Sequence, residues 1–173
     1  SKPETELFWK NIWENKHHFN RNATWFNSIR ENYCSNFTQE DYRITAATLE
    51  RVISQLHNNK APGPDLIVGY WFKHFTFYRA HLVEQFERLL TGLSDLPPWL
   101  GSARTHLFAK NEATHLPQSY RPIACQNIAF KLYTACINTF LQAHCEANDI
   151  ITVEQAGGRR GVWGCAQQLL INK

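Results

Sequence analysis

The chain has no methionine at any position, so either an initiator was removed ahead of Ser1 or the sequence is a piece of something longer. It has no apolar run approaching the roughly 20 residues of a membrane-spanning helix, and its opening SKPETELFWK is too polar for a secretory leader. No membrane partner is expected. The five cysteines, Cys34, Cys125, Cys136, Cys145 and Cys165, include no C-x-x-C pair and no histidine at zinc-finger spacing. Such a set reads as reduced, mostly packed thiols, which places the protein inside the cell, in nucleus or cytoplasm.

Catalytic signatures are missing too. The glycine-rich turn at 157 to 161 lacks the G-x-x-x-x-G-K-[ST] spacing of a phosphate-binding loop, which argues against ATPase activity. No local arrangement of Ser, His or Cys nominates a nucleophile with its base. His17 and His18 are adjacent, so on a helix they point about 100° apart and make a poor pair of ligands for one metal. A solvated helix end is the plainer reading. Repeats and low-complexity tracts are also absent.

What is present is a chain of 173 residues, 43% hydrophobic and 13% aromatic, which is enough apolar surface to build a buried core. Its net charge of +3 permits nucleic-acid binding without requiring it. Phe8, Trp9, Ile12 and Trp13, then Trp25, Phe26, Ile29 and Tyr33, recur at helical spacing and predict two amphipathic helices within 5 to 37. Thr45 is a candidate N-cap for a helix whose Leu49, Val52, Ile53 and Leu56 make one apolar face. That helix must stop at NNKAPGP, where two prolines forbid continuation. One long helix is expected from near Gly69 to Leu90, facing a core through Leu82, Phe86, Leu89 and Leu90, with Gly92 as its C-terminal cap. Two strand-like runs, 103 to 110 and 120 to 125, predict a β-hairpin, with Pro122 demanding an edge or a bulge. A helix over 127 to 147 and a last helix after the turn QAGGRRGVWG complete an α+β chain that is mostly helical.

Each of several cations stands beside a backbone constraint. Lys60 precedes Ala-Pro-Gly-Pro, Lys110 ends one strand, Arg121 begins the other beside Pro122, and Arg159 and Arg160 lie among Gly157, Gly158 and Gly161. A cation held by a rigid turn presents its charge in one direction, which suits phosphates. Lys110 and Arg121 would lie near each other across the hairpin, where like charges repel unless an anion lies between them. Spacing alone fits a second reading of that pair, as solvated edge charges that discourage sheet aggregation.

The order of the segments narrows the choice. KAPGPD at 60 to 65, YWFKHFTFYRAHLVEQFERLLTG, LPPWLGSARTHLFAK at 96 to 110, YRPIAC at 120 to 125 and EQAGGRRGVWGCAQQLLINK at 154 to 173 resemble, in sequence and order, the fingers of non-LTR (LINE-type) retrotransposon reverse transcriptases. The likeness is greatest to elements with a restriction-like endonuclease. It covers 45 to 173, and residues 1 to 44 look like the helical N-terminal extension that precedes such fingers. The resemblance implies a fingers subdomain of a right-hand polymerase. It implies that Lys110 and Arg121 hold the triphosphate of an incoming dNTP, that Gln155 and Gly157 lie along the template, and that Arg159 and Arg160 contact template phosphates. Lys60 through Asp65 resemble the turn where template RNA passes, with Asp65 placed to cap the next helix. The implied partners are template RNA, an RNA/DNA heteroduplex, dNTP, and the palm and thumb of the same polyprotein.

Two positions depart from the family pattern: Leu66 stands where glycine commonly follows P-G-P-D, and Gly158 where Phe or Cys is common. Neither F/Y-x-D-D nor D-x-x-x-A-F-D occurs in the sequence. The carboxylates that hold Mg2+ for phosphoryl transfer are therefore expected in a palm outside it, with no cofactor bound by this part and no polymerisation by it alone. A truncated or domesticated fingers domain that binds protein or nucleic acid without catalysis, through Trp9, Trp13, Trp25 and Phe26, is the alternative.

Overall fold

The structure is a computed structural model that describes residues 2–14, 20, 22–34, 37, 41–110, 116–152 and 155. Its elements run α1 (Lys2–Trp13), α2 (Thr24–Asn32), α3 (Ala46–Ser54), α4 (Gly69–His74), α5 (Arg79–Leu90), α6 (Pro98–Gly101), β1 (Ala103–Ala109), a 3-10 turn (Pro117–Ser119), β2 (Tyr120–Gln126) and α7 (Ile128–Ala147). This is an α+β, mostly helical chain with one two-stranded antiparallel sheet. None of the described helices is long and apolar enough to cross a membrane.

The core forms where α3, α5 and α7 meet. Thr45 lies in extended backbone and its Oγ1 accepts from the Thr48 N–H at 3.2 Å, so the expected N-cap is in place. The helix it starts buries Leu49, Val52 and Ile53 on one face. Phe86 from α5 and Ile128, Leu132 and Cys136 from α7 close on that face, with Phe72 of α4 and Leu100 of α6 joining them. Ile44 enters the same core, and its N–H donates to the Glu87 carboxylate. Tyr42 stacks on Phe140 at 5.2 Å. Tight packing around Cys136 pushes its thiol up to about 11, with Arg51 pulling weakly the other way.

α5 ends as the sequence leads one to expect. Gly92 adopts φ +70°, the Leu93 N–H donates to the Arg88 carbonyl at 2.9 Å, and the Gly92 N–H donates to Leu89 at 3.3 Å. These two bonds satisfy carbonyls that the helix leaves unpaired. The expected single helix from Gly69 to Leu90 is corrected to two, α4 and α5, broken at Phe75–Tyr78. The aromatic and β-branched run Phe75-Thr76-Phe77-Tyr78 has weak helix propensity. Arg79 Nη2 donates to the Lys73 carbonyl at 2.9 Å, satisfying the end of α4 from outside.

Both expected N-terminal helices form, yet they contribute little burial. α1 lies against the 3-10 turn, with Thr5, Phe8 and Trp9 partly covered. α2 has no buried residue. The expected final turn and helix, from Gly157 onward, lie outside the described residues.

Candidate nucleic-acid interface

The strand pair is continuous from Ala103 opposite Gln126 to Ala109 opposite Tyr120, with no bulge. Beyond it the Lys110 N–H donates to the Ser119 carbonyl at 2.7 Å. Hydrogen-bonded pairs recur every second residue in an antiparallel ladder. Positions 108 and 121 therefore form the next such pair, and Pro122, opposite Leu107, falls between hydrogen-bonded pairs, where its missing N–H costs the ladder nothing.

Directly opposed residues share a face and side chains alternate along each strand. One face consequently carries Arg104, His106, Phe108 and Lys110 from the first segment, with Ser119, Arg121, Ile123 and Cys125 from the second. Neither strand contains an acidic residue. Every residue of β1 is exposed, as are Lys110 and Arg121. The expected opposition of Lys110 and Arg121 is refined by this register. Arg121 faces Phe108, and Lys110 is its diagonal neighbour, at a spacing of about 7–8 Å between such positions. Lys110 Nζ donates to the Gln118 carbonyl at 3.0 Å, so its ammonium sits toward the turn.

The Ala61–Asp65 segment is fastened to the base of this ribbon. A Cβ on Gly63 would come within 2.2 Å of Asn127 Oδ1 and 2.4 Å of the Asn127 nitrogen, so only glycine fits between the loop and the junction of β2 with α7. Asn127, 2% exposed, accepts from the Asp65 N–H at 3.3 Å through Oδ1 and donates from Nδ2 to the Trp99 carbonyl at 2.7 Å. Lys131 Nζ donates to the Ala61 carbonyl at 3.1 Å. Lys60, exposed at the head of this pinned segment, is thereby held by a rigid frame.

Asp65 does not cap a helix. α4 begins at Gly69 with Val68 as its N-cap and no side-chain bond there, while Asp65 Oδ1 accepts from the Ile67 N–H at 3.1 Å. The carboxylate closes a local turn two residues on, which competes with capping. Leu66, where the family pattern has glycine, adopts φ +60°. That is the left-handed region glycine occupies without cost, so the turn keeps a glycine-type backbone and the leucine carries the strain.

Of the expected template residues, Gln155 is exposed and its N–H donates to the Thr152 carbonyl at 3.1 Å. Gly157, Arg159 and Arg160 lie outside the described residues. Among the described residues no three His, Cys, Asp or Glu side chains converge as metal ligands. Sequence reading missed Arg104, His106 and Phe108, although the alternation in ARTHLFAK carries them. It also missed Asn127, whose partners lie 62 and 28 residues away. In comparisons with known proteins, no family model matches the chain and no curated protein is significantly similar to it.

Proposed function

We propose that this chain is the fingers part of an RNA-directed DNA polymerase of a non-LTR retroelement, binding template RNA and the phosphates of an incoming nucleotide for a palm outside this sequence. One observation carries the reading: Lys110 and Arg121 share an exposed, acid-free ribbon face with Arg104 and His106. Like charges gathered there repel one another unless an anion lies among them. Phosphate contacts of this kind position a nucleic acid without reading its sequence. Fastening of the Gly63 loop to the ribbon base supports the same reading, since it sets Lys60 on one rigid body with the ribbon.

The test uses the complete polymerase. Arg121→Ala raises the KM for dNTP by more than it weakens template binding. A larger loss of template binding than of nucleotide affinity contradicts the role assigned to Arg121.

A second reading rests on α2. Trp25, Phe26, Ile29 and Tyr33 are 65%, 48%, 47% and 62% exposed, an unburied apolar stripe of the sort that covers a protein partner. Light scattering separates the two: self-association abolished by Trp25→Ala, with RNA binding absent, favours the interaction module.

A further inference from the structure

A second group of cations lies beside α4. Gly69 packs so closely on the preceding turn that a Cβ there would meet the His57 carbonyl oxygen at 2.8 Å. One helical turn later Lys73 returns to that side. An open cleft of about 640 Å3 results, lined by Leu56, His57, Asn58, Asn59, Lys60 and Lys73. Among the described residues neither Lys60 nor Lys73 forms an ion pair, and the nearby Arg79 is engaged with Glu50 at 3.6 Å. Two lysines and two asparagines thus line one recess.

Around the outer side of α4 the next positions are aromatic. At about 100° per residue, Tyr70 and His74 follow Lys73, and Trp71 and Phe75 follow them. The Tyr70 and His74 rings lie 4.2 Å apart, and the Trp71 and Phe75 rings are stacked at 5.1 Å. Only Phe72 of this short helix turns its ring into the core. Tyr70, Trp71 and Phe75 remain 43%, 45% and 45% exposed. Two lysines lining a cleft, with exposed paired rings at the neighbouring positions of the same helix, match the chemistry of a single-stranded nucleic acid, whose phosphates seek ammonium groups while its bases stack on aromatics. A protein partner fits less well, because no aliphatic side chain occupies this arc and positive charge borders it.

We infer that the Lys60–Lys73 cleft and the Tyr70–His74 ring pair form a second contact for single-stranded RNA, distinct from the ribbon face, with phosphates in the cleft and a base against the rings. It rests on the reading that the chain binds RNA and extends it to Lys73, Tyr70 and His74.

The experiment titrates a fluorescently labelled oligouridylate into the full chain at two salt concentrations. Lys73→Ala flattens the plot of log affinity against log salt by about 0.7, one phosphate contact on a single strand. Tyr70→Ala weakens binding about 5-fold to 150-fold with the salt slope unchanged, as loss of one stacked base requires. Tyr70→Phe and Lys73→Arg restore wild-type behaviour, and both positions accept these changes without disturbing the core. If Lys73→Ala and Tyr70→Ala bind as wild type while Arg121→Ala does not, the second contact is wrong and the ribbon reading stands. If the wild-type chain does not bind the oligonucleotide, both fail. If the chain is dimeric, Tyr70→Ala makes it monomeric and RNA affinity is unmoved, the face is a contact between copies and the inference is overturned.

Discussion

The α3–α5–α7 body and the β1–β2 ribbon are made of similarly apolar sequence and use it in opposite ways. In the body, Leu49, Phe86, Ile128 and Leu132 are at most 2% exposed. In the ribbon, Leu107, Phe108 and Ile123 are 39%, 55% and 48% exposed, interleaved with cations and free of acids. The body derives its stability from burial. The ribbon is held by its ladder and by the fastening at its base, and much of its surface is exposed.

Truncations separate the two most strongly. Leu132→Ala, at a site with no exposed surface, costs about 2–5 kcal/mol through lost transfer energy and the cavity left behind. Phe108→Ala, in the exposed ribbon, costs about 0.5 kcal/mol or less. Urea unfolding of both variants checks this, and a comparable loss at Phe108 would show that the ribbon is part of the core. The next effect falls on the fastening between the regions. Asn127→Ala leaves the Asp65 N–H and the Trp99 carbonyl, both only part-buried, without their partner, costing about 1–3 kcal/mol. Hydrogen exchange should show Asp65 and the ribbon base losing protection before α3 does.

Thr45 and Gly92 could be read from the sequence because caps depend on residues within one helical turn, and the structure places both as expected. The strands were legible from alternation between turn signals, to within a residue of Lys110. The break at Phe75–Tyr78 was not, because its aromatic run keeps a helical rhythm and the carbonyl it frees is satisfied by Arg79. Nor could periodicity say that the apolar stripe of α2 stays exposed, since burial depends on what lies opposite. Of the candidate site, the cations flanking the turns were visible individually. Their diagonal register, and the bridge at Asn127, depend on pairings distant in sequence.

Smaller effects sharpen the contrast further. Leu66→Gly relieves a left-handed backbone worth about 1–2 kcal/mol and adds about 0.5–1 kcal/mol of chain entropy to lose. A net gain of about 0.5–1 kcal/mol is expected, because Leu66, 61% exposed, gives up little burial. A fall in stability would mean that its side chain packs on the loop. Alkaline pH acts on buried groups in and beside the body. Burial raises the Cys136 thiol to about 11 and also raises Tyr78 and Tyr133. The fold favours the protonated form of each, so this stabilisation is complete below about pH 9 and is lost as pH climbs toward 11 and beyond. Denaturation midpoints at pH 8 and 10.5 should differ in that direction, and less so in Cys136→Ala.

The ribbon face is proposed to bind the phosphates of a nucleic acid. The most direct measurement is the salt dependence of single-stranded RNA binding by the wild-type chain and by Lys110→Ala/Arg121→Ala. Steep dependence is expected in the wild type, with a slope smaller by about 1.4 in the double variant, two phosphate contacts at about 0.7 each, and the urea midpoint unchanged. Salt-independent binding, or equal slopes in the two proteins, would rule out phosphate contacts on the ribbon.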